Sequence, residues 1–232
     1  HLHNAKANQE LNVYLKGQRI KPDPNPVYLG VTLDRSLTYH EHLKKTAAKV
    51  STRNNLLCKL AGTSWGASAQ TLKTTALALC YSTAEYCSPV WSRSSHTRLV
   101  DVQLNTSMRT ITGTLRPTPV PWLPVLSNIP PPHLRRREAT AKLLAKVRAD
   151  VRIPLNVDIT SHPTARLPSR HPIWLDPPPE DWSATSAWSA EWSTEDAVNR
   201  SLVAEPSARP PGFDLPRQQW KTLNRCATNL VR

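Results

Sequence analysis

Val27-Tyr-Leu-Gly-Val-Thr-Leu-Asp34 alternates strictly between apolar residues and others. Val27, Leu29, Val31 and Leu33 fall on one face of an extended strand, and Tyr28, Gly30, Thr32 and Asp34 on the other. The first face can bury itself against a core. The second carries a glycine at its middle, and such a gap is either incidental or marks a bulge or a close approach to the backbone.

Upstream, residues 10–33 read as a small antiparallel β unit. Leu11, Val13 and Leu15 alternate with Asn12, Tyr14 and Lys16, and Gly17-Gln18 supplies a tight turn before Arg19 to Lys21. Pro22, Pro24 and Pro26 cannot donate ladder hydrogen bonds, so they interrupt the sheet and deliver the chain into Val27.

Downstream the period changes to that of helices. Thr38 with Glu41 three residues on is a capping-box start, and Tyr39, Leu43, Ala47, Val50, Leu57 and Ala61 then recur at helical spacing up to Gly62. The opposite face carries Lys44, Lys45, Lys49, Arg53 and Lys59, with no acidic residue after Glu41. Such a face is either solvated or set to meet phosphates. A second helix, Ser68 to Tyr86, is nearly uncharged and so expected at the centre, with Leu72, Ala76, Leu79, Thr83 and Tyr86 as its stripe. Trp91, just after it, reads as a core plug. A third, Ser95 to Thr112, places Val100, Leu104, Met108 and Ile111 on one side before Gly113.

Prolines 117, 119, 121 and 124 bracket Trp122-Leu123 and Val125-Leu126, a short helical turn or two. Pro130-Pro131-Pro132 suits the opening of a fourth helix, His133 to Val151, with Arg135, Arg136 and Arg137 in its first turns. Beyond Pro154 the text is rich in Pro, Ser and Trp. It reads as irregular, with a short helix from Asp181 to Trp192 and a last one from Pro216 through Trp220 to Leu230, either draped over the bundle or loose in solution. The fold class expected is mainly α: a small N-terminal antiparallel β unit (1–37), a basic helical bundle (38–152) and a Pro/Trp-rich irregular tail (153–232).

The formal charge is +13. Residues 1–153 hold 22 Lys+Arg against 8 Asp+Glu, whereas residues 154–232 hold 8 against 9, so all the excess lies in the first two thirds. A field of that sign and placement points to a polyanion, nucleic acid above all. The 4 cysteines form no CxxC pair, and no Cys/His set has zinc spacing; His40 and His42 stand at i, i+2 and cannot share one helix face. No apolar run approaches the roughly 20 residues that span a bilayer. Nucleus or cytoplasm is the compartment expected, not a membrane, and the opening His1 reads as a processed form or an excised piece.

Tyr28-Leu-Gly-Val-Thr-Leu-Asp34, followed by Leu37-Thr-Tyr, His40, His42 and a Lys-rich helix, resembles the end of the palm and the start of the thumb in reverse transcriptases of non-LTR retrotransposons, the jockey-like elements in particular. Tyr86-Cys-Ser-Pro-Val-Trp91, Leu126-Ser-Asn-Ile-Pro-Pro131 with its Arg run, and Pro211-Gly-Phe-Asp-Leu-Pro216 leading to Leu223-Asn-Arg225 are similar to later segments of that family. The resemblance implies a primer grip at Tyr28 and Gly30, with Lys44, Lys45, Lys49, Arg53 and Arg135 to Arg137 meeting the phosphates of an RNA–DNA primer–template.

It also implies that the catalytic carboxylates, and the two magnesium ions they hold about 4 Å apart, belong to an upstream palm and not to this chain. No Asp-Asp pair occurs here, and Asp23 and Asp34 lack that arrangement. No cofactor and no catalysis are expected of this chain alone. The rival expectation is a non-enzymatic basic adaptor that binds nucleic acid or a protein. The tail departs from the family pattern at Cys226-Ala-Thr-Asn, where a Thr-Gly segment and a Cys/His region are expected.

Overall fold

The computed structural model describes residues 12–62, 66–161, 172–179 and 181–229. Leu11 and Leu230, expected in the first strand and the last helix, lie outside them. The described chain is mainly helical, with two small antiparallel strand pairs at its N-terminal end.

β1 (Val13–Leu15) pairs with β2 (Gln18–Ile20), with Val13 opposite Ile20. The turn is Lys16-Gly17, both at positive φ, one residue earlier than expected. The eight-residue stretch from Val27 is not a continuous strand. β3 (Val27–Tyr28) and β4 (Val31–Thr32) form a second hairpin, turned by Leu29 (φ 46°) and Gly30 (φ 81°). Two consecutive positive-φ residues match the twist of a tight hairpin, and the glycine that seemed to sit mid-strand is the residue that permits the reversal. The expected apolar face is therefore divided. Val27 and Leu29 are exposed, while Val31 is buried at the foot of the bundle together with Thr32.

α1 (His40–Leu60) buries Leu43, Val50 and Leu57, the stripe expected of it. Its start differs. Asp34 accepts from the backbone N–H of Ser36 and Thr38 and from the Thr38 hydroxyl at 2.9–3.1 Å, so Thr38 ties off the turn instead of forming a capping box, and Tyr39 enters the helix at φ 59°.

α2 (Ala69–Ala76) starts at a true cap, the Ser68 hydroxyl accepting from Thr71 N–H at 3.1 Å. The helix then widens into a π turn, Leu77–Tyr81, before α3 (Ser82–Ala84). One extra residue in the turn moves the buried face on by one. Cys80, which the sequence places beside the stripe as a small hydrophobe, is buried and Leu79 packs half-buried against the core; Tyr81 and Ala84 enter where the 3.6-residue pattern points to Thr83 and Tyr86, and Tyr86 is left 53% exposed. α4 (Ser88–Trp91) delivers Trp91 into the core, its indole N–H donating to Tyr86 O at 2.9 Å. α5 (Arg98–Thr112) lies against α1 and buries Val100, Leu104, Met108 and Ile111 as expected.

A short α6 (Trp122–Ser127) and the long α7 (Pro132–Ala149) follow where expected. The tail takes the draped alternative. α8 (Leu155–Ser161), which the sequence does not announce because seven residues show too little of a stripe, packs Ile159 against Leu144 and Val147. α9 (Ala184–Thr194) buries Trp188 and Trp192 beside Trp122, and Phe213 with Trp220 of α10 (Arg217–Ala227) covers Ala69.

Asn54 holds the centre of the bundle. Its Nδ2 donates to Gln103 O at 2.9 Å, and its Oδ1 accepts from Ser107 at 2.6 Å and from the Cys80 thiol at 3.4 Å, joining α1, the π turn and α5. Replacing Asn54 by Ala removes all three bonds and leaves the buried Cys80 thiol without its acceptor, while Ser107 keeps its bond to Gln103 O at 3.2 Å; chemical denaturation is expected to show a loss of about 2 kcal/mol.

Candidate nucleic-acid interface

The β3–β4 hairpin and the first half of α1 form one corner of the molecule. His42 joins them: its Nδ1 accepts from Thr32 N–H at 3.3 Å, which requires a neutral ring with its proton on Nε2. Lys45 reaches the Thr32 hydroxyl at 3.5 Å from the next turn of the same helix. Lys44, Lys45 and Lys49 are all exposed, and among the described residues none of the three makes an ion pair. Tyr28 stands at the hairpin edge, 67% exposed. The corner thus offers three ammonium groups and one aromatic ring to a partner.

Gly30 is accounted for from within. It is exposed, but what approaches it is the Tyr86 ring, 3.1 Å from where a Cβ would stand, and the Tyr86 hydroxyl donates to Leu29 O at 2.9 Å. The glycine serves the turn and this contact, so the close approach expected of a nucleic-acid backbone is taken by the protein's own side chain.

Three further cations expected to meet phosphates are engaged elsewhere. Arg53 donates to Leu79 O at 2.5 Å and to the Thr83 hydroxyl. That carbonyl lies within the π turn and also accepts from the Thr83 hydroxyl at 3.2 Å. Arg135 pairs with Glu85 through two bonds of 2.5 and 2.8 Å and lies over the Tyr81 ring. Arg136, 6% exposed, pairs with Asp101 at 2.5 and 3.0 Å over Trp91. These two pairs bolt α7 to the segment after α3 and to α5, because a carboxylate and full hydrogen bonding offset the cost of turning a guanidinium toward the core. Arg137, the third of the run, is exposed and stacks on Trp182 at 5.2 Å. It stands apart from the α1 corner. Of the nine residues singled out in the sequence, the structure gathers Tyr28, Lys44, Lys45 and Lys49 as an accessible group, with Gly30 in the turn beside them.

One basic group lies outside those nine residues. Arg217, Lys221 and Arg225 recur every four residues on α10, a spacing visible in the sequence but submerged in a tail of balanced charge.

No helix among the described residues is long and apolar enough to cross a membrane. Among the same residues no three His, Cys, Asp or Glu side chains gather as a metal site would require; His40 and His96 meet edge to face at 4.6 Å, while His42 points into the hairpin junction. Comparison with protein-family models, with curated proteins and with solved structures finds no match to this chain in any of the three.

Burial, with Lys49 and Lys45 adding repulsion, holds the His42 imidazole below its ordinary value of 6.5. A base whose folded value is depressed takes up more protons in the unfolded chain, so its contribution is complete above its unfolded value and fades as the pH falls. Stability measured by urea denaturation is expected to decline on acidification from about pH 7 to pH 5, and His42→Gln is expected to flatten that slope. In the same corner Leu29 occupies a left-handed position that asparagine tolerates better. Leu29→Asn should slow hydrogen exchange of the β3–β4 ladder by about two- to five-fold, equivalent to roughly 0.5–1 kcal/mol.

Proposed function

We propose that this chain binds nucleic-acid duplex as the palm-end and thumb portion of a reverse transcriptase of a jockey-like non-LTR retrotransposon, working in the nucleus or cytoplasm. The observation that supports the reading best is the α1 corner. Lys44, Lys45 and Lys49 project outward without acidic partners among the described residues, next to the hairpin whose residues resemble a primer grip. Exposed lysines act as point charges on a phosphate backbone; they set position and register without reading bases. Tyr28 adds a ring that can press on a terminal sugar or base. Polymerisation requires carboxylates from the palm, and this chain supplies the grip on primer and template, not the metal chemistry.

The natural ligand under this reading is an RNA–DNA hybrid with a recessed 3′ end. Filter binding over a range of salt is expected to give a steep linear fall of log affinity with log salt. Changing Lys44, Lys45 and Lys49 together to Gln should reduce that slope by about 2 to 3, since each phosphate left without its lysine lowers it by roughly 0.9, and the thermal midpoint should stay unchanged. An affinity indifferent to salt, or a slope that the triple variant keeps, would sink the proposal.

A further inference from the structure

Arg217, Lys221 and Arg225 stand at i, i+4 and i+8 on α10, one stripe of three like charges. Like charges at that spacing repel. The stripe faces the C-terminal end of α5. The Arg217 guanidinium donates to the carbonyls of Thr110 and Ile111, Asn224 donates to Thr112 O at 2.8 Å, and Arg225 Nε donates to Gly113 O at 3.3 Å. The Lys221 stem lies across Gly113, where any Cβ would overlap it. Arg109, in the last turn of α5, donates to Thr118 O at 3.3 Å with Arg116 beside it. Among the described residues none of these five cations makes an ion pair.

Helix capping explains only part of this convergence. A helix C-terminus carries the equivalent of about half a negative charge, and the stripe alone brings three full cations to it. Arg217 is 7% exposed, and its Nε has no hydrogen-bond partner. An arginine so deeply buried is ordinarily matched by a carboxylate. Burial holds the Lys221 ammonium below its usual range, and Arg217 and Arg225 press it lower still. Among the described residues no acid pairs with these cations, and two of them, Lys221 and Arg225, are only half-buried.

We propose that this cluster is a phosphate-binding site, with Lys221 and Arg225 as the contacting groups and Arg217 as the fixed charge behind them. A phosphate oxygen accepts from an ammonium and from the planar edge of a guanidinium, and its negative charge relieves the repulsion along the stripe. The site is separate from the α1 corner. α1 and α5 run in the same direction, with Asn54 beside Gln103 and Ser107 and Cys58 beside Thr110. It therefore lies about 20 Å farther along the bundle than Lys45, at roughly 1.5 Å of rise per residue.

Thermal unfolding of the whole chain in sodium phosphate, against sodium chloride at matched ionic strength, tests the proposal. Phosphate is expected to raise the midpoint in a saturable way that chloride does not reproduce. Lys221→Gln should abolish most of that rise while Lys221→Arg keeps it; among the described residues the Lys221 ammonium anchors no other element, so both variants retain the fold. Equal responses to the two salts, or a full response in Lys221→Gln, would overturn the site.

A second arm separates the sources of phosphate and rests on the function proposed above. If the ligand is a nucleic-acid backbone, Lys221→Gln with Arg225→Gln lowers the salt slope of hybrid binding by about 2. If the ligand is free phosphate or a phosphomonoester, that slope stays put while the phosphate stabilisation is lost. Should wild-type chain show no salt-dependent hybrid binding at all, the α1 reading fails, and the unfolding arm still decides this one.

Discussion

Two adjacent residues, Arg53 and Asn54, fix how the central helices meet. The π turn of Leu77–Tyr81 presents the Leu79 carbonyl and the Cys80 thiol to α1, where each meets one of these two residues. Arg53 donates to Leu79 O, and Asn54 accepts from the Cys80 thiol. Asn54 then reaches Gln103 and Ser107 on α5. A buried amide satisfied on both sides defines a single register for three elements, since any slip leaves polar groups unpaired in a low-dielectric core.

The same scarcity of carboxylates organises the rest of the charge. Asp101 and Glu85 each hold one arginine of α7 against the core, and the aromatic rings of Trp91 and Tyr81 lie under those guanidinium groups. With those acids engaged, the lysines of α1 and the cations of α10 have no acidic partner among the described residues. Inward cations join helices; outward cations create the field. The tail closes the arrangement from the other side, its tryptophans filling the space beside α6 and α7. There the indole N–H groups of Trp122 and Trp192 donate to the Val198 and Val203 carbonyls.

Much of the fold was legible. The stripes of α1 and α5, the start of α2 after Ser68, the proline opening of α7, the Gly113 stop and the core position of Trp91 follow from spacing and turn chemistry that act locally. The second hairpin was not legible: alternating apolar residues look alike in one strand or in two joined by a turn, so a glycine in mid-stretch reads as a gap within a strand. The candidate site was legible as a set of cations but not as a geometry. Arg53, Arg135 and Arg136 carry the same charge as Lys44 and Lys49 in the sequence, and they differ only in what lies across from them.

Periodicity, composition and charge asymmetry by themselves determined a basic, mainly helical chain with a small β start, because helix stripes and turn residues are properties of neighbours along the chain. Tertiary structure alone decided which cations face solvent, that the π turn moves Tyr86 out and Tyr81 in, and that α10 lays its basic stripe on the end of α5. Those outcomes depend on partners from 26 to 112 positions away, such as Leu79 for Arg53 and Thr112 for Asn224. Side chains that distant are brought within hydrogen-bond reach only when the whole bundle has packed.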